Sequence, residues 1–255
     1  MSMEEREQVV ESLPAEVTWD EMAMPEGDLH YEGKRQALDA LRGYFKQQRR
    51  RVYVGAELPI YYPGERRFAP DLLVVLDAET HPRGKWVVSQ EGKGLDWVME
   101  VHVGGDRKKD AEYNVRRYAR LGIPEYFIYD RARERLEAYR LPSPKAREYE
   151  RMESRQGRYT SEVLGLDLQL EGGRLRFWAG RALLLESEEM NERLREMLDG
   201  VQRRVDEEAR QRAEEVRRRE EAEHQRAEEV RRRQEAERRL AELQSELEQL
   251  KSRGE

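Results

Sequence analysis

Cysteine is absent from the chain, which excludes disulfide staples and thiolate metal sites and leaves the fold to depend on its core alone. No apolar run approaches the length needed to cross a bilayer, and the start, Met1-Ser2-Met3-Glu4-Glu5-Arg6-Glu7, has neither a basic beginning nor a hydrophobic stretch. These absences predict a cytoplasmic protein with no membrane partner. An excess of positive charge is missing too. With a formal net charge of -6, any attraction to nucleic acid must come from a local patch. The candidates are Arg49-Arg50-Arg51, and Arg107-Lys108-Lys109 with Arg116, Arg117 and Arg120, each of which also reads as a solvated helix face.

What remains is charge of both signs, at 40% of residues against 37% hydrophobic, too polar for one globule of 255 residues. The charge is therefore segregated. Residues 1–28 read as a leader, with a helical Glu-rich stretch from Glu4 to Glu11 and Pro14 and Pro25 as punctuation. Residues 29–185 hold the apolar segments of a folded domain. Residues 186–255 are almost wholly Glu, Arg, Gln, Ala and a few Leu, without proline, and predict a long helix or coiled coil.

Within the domain, Ala37, Leu38, Leu41, Tyr44 and Phe45 recur at helical spacing and predict an amphipathic helix packed on a sheet. Val52 to Tyr62 reads as a strand or hairpin arm carrying Glu57, and Pro63-Gly64 leads from it to a second strand, Asp71-Leu72-Leu73-Val74-Val75-Leu76. Lys85 and Lys93 fall in a polar connection and read as loop charges. A third strand, Leu95 to Val103, carries Glu100 and His102. A carboxylate on a buried strand is costly without a partner or a cation. Two of them on neighbouring strands, Asp71 and Glu100, with lysines arriving at Lys108 and Lys109, have a use in holding a divalent ion against a phosphate. Metal-dependent phosphodiester cleavage is the chemistry this pattern suggests. Lys108 to Leu121 predicts a helix ended at Gly122, with Asp110, Asn114 and Tyr118 at four-residue steps along one face. Glu125 to Asp130 and Arg135 to Leu141 predict a hairpin, and short strands around Gly172-Gly173 complete the domain.

Pro70-Asp71, Glu100-Val101, Asp110, Tyr118 and the run Leu121-Gly122-Ile123-Pro124-Glu125-Tyr126-Phe127-Ile128-Tyr129-Asp130 resemble the Uma-type putative restriction endonuclease family of the PD-(D/E)XK nuclease superfamily, over roughly Glu16 to Leu185. The resemblance implies an α/β, restriction-endonuclease-like mixed sheet flanked by helices. It also implies DNA as partner, and Asp71 and Glu100 as ligands of a magnesium ion, or manganese in its place, with Glu57 within reach of the same cation. One departure matters. Where the superfamily has lysine two residues after the second acid, this chain has His102, and where Uma-type members place it on the helix, this chain has Asn114. Lys109, or Lys108 beside it, is then the expected source of the ammonium that orients a water and offsets phosphate charge. His102 is the alternative, as metal ligand or base. The same departure supports a second reading, a nuclease-derived module that binds DNA or serves as a scaffold.

The tail contains a direct repeat, Gln211 to His224 returning as Gln225 to Arg238, two heptads long. One heptad frame puts Leu198, Val205, Leu240 and Leu247 at position a and Leu194, Val201, Ala222, Ala236, Leu243 and Leu250 at position d, with Arg212, Arg219, Arg226 and Arg233 at the central a positions. The ends of the tail can zip, whereas its middle reads as a stiff, solvated helix supported by Glu and Arg four residues apart. The expected partner is a second copy in a parallel dimer, or another protein bound along the arm.

Overall fold

The structure, a computed structural model, describes residues 2–16, 27–104 and 109–252, and of residues 109–111 and 246–252 the backbone alone. Its helices are α1 (Met3–Ser12), α2 (Asp28–Gln47), α3 (Val88–Glu91), α4 (Val115–Arg120) and α5 (Ser187–Ser252). A π-helical segment, Lys109–Asn114, leads into α4. The strands are β1 (Val52–Gly55), β2 (Ile60–Tyr61), β3 (Leu72–Leu76), β4 (Trp86–Val87), β5 (Trp97–His102), β6 (Glu125–Asp130), β7 (Arg135–Arg140), β8 (Glu150–Arg151), β9 (Arg158–Ser161), β10 (Leu166–Glu171), β11 (Arg174–Ala179) and β12 (Ala182–Leu183). No helix among the described residues is long and apolar enough to cross a membrane.

Six strands form the central sheet in the order β1-β3-β5-β6-β7-β8. It is mixed, because β5 and β6 run parallel while every other neighbouring pair is antiparallel. The parallel pair needs a crossover, and the π-helical segment with α4 supplies it. Strand side chains alternate between faces, so β3 and β5 send Leu72, Val74, Trp97 and Met99 into one core and Leu73, Val75 and Val98 into another. Ala37, Leu41 and Phe45 of α2 cover the first face together with Leu166, Leu168, Leu175 and Phe177 of a four-stranded antiparallel sheet, β12-β11-β10-β9. Tyr118 of α4, Ile60 of β2 and Trp86 of β4 cover the second. Buried on both faces, β5 and β6 read as nearly continuous apolar runs.

Polar residues at the joints of the sheet are paired. Ser2 caps α1 through a reciprocal pair of hydrogen bonds with Glu5. Lys85 closes the other end of that helix by donating to the carbonyls of Val10, Glu11 and Leu13. Lys93 pairs with Asp96 at 3.0 Å and donates to the Leu76 carbonyl. Both of these loop lysines therefore hold structure. Tyr62 accepts the Leu95 amide, and burial pushes its hydroxyl up to about 12, which keeps it protonated there.

Glu125, 1% exposed at the start of β6, accepts from the Ser161 hydroxyl, the Glu162 amide and Arg140 of β7. This network links the central sheet to the four-stranded one. Arg140→Ala should leave the carboxylate buried without its counter-charge, costing about 3 kcal/mol, the low end of the range because Arg140 is itself part-exposed. Urea denaturation of full-length protein checks this; a midpoint equal to wild type would show that the two hydrogen bonds alone carry Glu125.

Two compact units are separable, Met1–Met190 and Asn191–Glu255. Arg176 of β11 pairs with Glu186 at 3.1 Å and with Glu189 at 2.8 Å, so the first turn of α5 belongs to the first unit.

Candidate active site

Asp71 immediately precedes β3 and Glu100 lies in β5, and extending the Leu72–Met99 pairing by one step puts the two acids opposite each other. Both are buried. They survive there because backbone amides meet them: the Asp71 amide donates to Glu100 Oε2 at 3.1 Å, and the Val101 amide donates to Asp71 Oδ2 at 2.8 Å. Glu100 Oε1 accepts from the Tyr118 hydroxyl at 2.7 Å and lies 3.5 Å from Asn114 Nδ2. The four-residue step between Asn114 and Tyr118 thus does bring both onto one carboxylate.

Asp71 Oδ1 faces α2. His30 Nε2 lies 3.2 Å from it and Lys34 Nζ 4.0 Å from it, and Lys34 also donates to Glu57. Lys34 is only 7% exposed, and a lysine this buried is rare unless paired. It sets a cation beside Asp71, delivered from a helix that sequence periodicity assigns wholly to packing. A signal was present. His30 and Lys34 lie four residues apart and continue the stripe of Ala37 and Leu41, so the buried face of α2 begins with two polar residues.

Glu57 sits in a turn after β1 rather than on a strand, at φ 50, in the left-handed region. Its amide donates to the Pro70 carbonyl at 3.0 Å, which fixes the turn beside Asp71. Holding a non-glycine residue there costs on the order of 1 kcal/mol. The expected strand position for Glu57 is therefore corrected, while its place near Asp71 stands, bridged by Lys34. His102 is buried two residues beyond Glu100 on the same face of β5. Lys108 lies outside the described residues; Lys109 and Asp110 lie in the π-helical segment, their side chains outside the description.

Of the second basic cluster, Arg116 and Arg120 are exposed, Arg107 and Lys108 lie outside the described residues, and Arg117 alone among the described side chains is turned inward. Arg117 is buried, stacked on Phe68 and paired with Glu65 at 3.1 Å, so it holds the second core and is no nucleic-acid contact. Arg49, Arg50 and Arg51 are exposed and line a cavity of about 800 Å³ with Arg42, Lys46 and Arg83.

Among the described residues no three His, Asp or Glu side chains form a metal-binding group by themselves. Two carboxylates are nonetheless an adequate anchor for magnesium, which binds through one or two of them and takes its other ligands from water and substrate phosphate. All the donors are hard oxygens, with an imidazole alongside. The set fits such an ion.

A mixed sheet flanked by helices thus brings two buried carboxylates together from adjacent antiparallel strands, Glu100 within β5 and Asp71 immediately before β3. Residues 18–174 match the sequence model of Uma2, described as "Putative restriction endonuclease", and the chain belongs to that family. A search of curated proteins finds no match. Among solved structures, a putative nuclease of DUF820 from Anabaena variabilis aligns with a TM-score of 0.42 at 17% identity, covering 55% of this chain and 75% of that one.

Proposed function

We propose that the protein is a metal-dependent endonuclease that hydrolyses DNA phosphodiester bonds. The observation that carries the reading is the buried Asp71 and Glu100 pair with the Lys34 ammonium beside it. Asp71 and Glu100 would hold the magnesium ion, whose contribution is to polarise the phosphate and lower the pKa of a bound water. Tyr118 and the Asp71 amide fix Glu100, and the Val101 amide fixes Asp71, so both carboxylates are oriented before substrate arrives. Lys34 can orient the attacking water or offset charge on the phosphate. Its link to Glu57 keeps the flexible side chain aimed at that point. The exposed Arg49, Arg50 and Arg51 offer a track for the phosphate backbone.

Supercoiled plasmid incubated with full-length protein should be nicked or linearised with magnesium or manganese and left intact with a chelator. No cleavage under any divalent ion, with metal binding also absent by calorimetry, would overturn the reading. One observation favours a second one. Lys34 bridges Glu57 and Asp71, so a cation of the protein's own already balances the acids, as a nuclease-derived scaffold without metal would require. That reading expects DNA binding that is indifferent to divalent ions.

A further inference from the structure

α5 runs 66 residues, about 99 Å at 1.5 Å per residue, and among the described residues its apolar a and d side chains are uncovered. Leu194, Leu198, Val201, Val205, Leu240 and Leu243 are all roughly half exposed or more. Between these two apolar ends the seam is charged in a regular way. Position a carries Arg212, Arg219, Arg226 and Arg233, and position d carries Glu208, Glu215 and Glu229, with alanine at 222 and 236.

A parallel, in-register pair would set each a residue against its own copy, giving four arginine layers and three glutamate layers of like charge. Reversing one helix exchanges the two rows, so every a residue meets a d residue. We propose that α5 pairs with α5 of a second copy in an antiparallel coiled coil whose dyad lies between Glu220 and Glu221.

About that dyad the layers match from Leu194 to Leu247, and only the outermost sets Leu250 against Asn191. Leu194 meets Leu247 of the other copy, Leu198 meets Leu243, Val201 meets Leu240 and Val205 meets Ala236. Moving inward, Glu208 meets Arg233, Arg212 meets Glu229 and Glu215 meets Arg226, and Arg219 packs over Ala222 beside the dyad. The arginine layers, which deny a dry core to a parallel pair, here become the element that selects direction and register. A shift by one heptad would set Leu240 against Glu208 and keep only two of the three charge pairs. The same register overlaps the two helices along almost their whole length, since the dyad falls close to the middle of Ser187–Ser252. Pairs already made within one helix, such as Arg219 with Glu215 at 2.7 Å, lie on this seam and can be shared across it. The inference is independent of the nuclease reading.

Because the chain has no cysteine, introduced thiols are the only ones present. Full-length Leu198→Cys and Leu243→Cys proteins, mixed and mildly oxidised, should form a covalent heterodimer, since a disulfide needs Cβ atoms about 4 Å apart. Either variant alone should form none, because its two thiols would lie roughly 67 Å apart along the rod. Light scattering of the unmodified protein should give twice the 30.4 kDa chain mass. Self-crosslinking of Leu198→Cys would establish the parallel pair and overturn the proposal. Crosslinking of Leu198→Cys to Leu250→Cys in place of Leu243→Cys would overturn the register, and a monomer in solution would overturn the association itself.

Discussion

Asp71→Asn and Glu100→Gln are each expected to lower magnesium-dependent cleavage of plasmid DNA by more than roughly 100-fold, the upper range for losing a mere outer-shell partner of a metal ligand. The amides are preferred to alanine because both acids are tied into the fold. Truncating Glu100 would strand the Asp71 amide and the Tyr118 hydroxyl, at about 1 to 3 kcal/mol for each group left unsatisfied. Gln and Asn keep the volume and an accepting oxygen while removing the charge. Circular dichroism should therefore stay native and calorimetric magnesium binding should weaken sharply. Two like charges so close together repel in the metal-free protein, which offsets the attraction to Lys34 that Asp71→Asn removes, so stability should change little. Undiminished magnesium-dependent cleavage by either variant would remove that residue from the metal site.

The parts of this site that were readable in the sequence are those built by strands. A buried strand declares itself as a short apolar run between Pro and Gly, and an acid at the head of such a run, as Asp71 is, or within it, as Glu100 is, stands out. The hairpin of β6 and β7 was readable for the same reason. The missing parts were contributed by tertiary placement. His30 and Lys34 head the apolar stripe of a helix that otherwise reads as packing, and that local hint does not say that its first two turns end beside the Asp71 carboxylate. The β-forming neighbours of Glu57 predict a strand, whereas the hydrogen bond from its amide to the Pro70 carbonyl turns the chain there. Arg117 belonged to a basic run on the page and to an aromatic core in space, since a guanidinium can be buried over Phe68 once Glu65 balances it. The a and d positions of α5 are legible one by one in the sequence, and the antiparallel direction proposed for it follows from comparing the two rows.

Lys34→Met should reduce turnover by about 10² to 10³, the usual loss when one preorganised donor to the developing charge is removed, while leaving DNA affinity within a few-fold of wild type. The sign of the effect on metal binding separates this role from a structural one. An ammonium 4.0 Å from Asp71 Oδ1 opposes a second cation at the same carboxylate, so removing it should leave calorimetric magnesium affinity unchanged or raise it. A residue that merely braced the site would, when removed, weaken metal binding and turnover together. Methionine preserves most of the aliphatic stem that α2 buries, and Glu57 is part-exposed, so its carboxylate can turn to water and the fold should hold. The competing source of the ammonium is the start of the crossover helix. If a Lys108→Met, Lys109→Met double variant lost turnover while Lys34→Met kept it, the cation would come from there; with Lys34 as the source, the double variant should cleave at close to the wild-type rate and Lys34→Met should not.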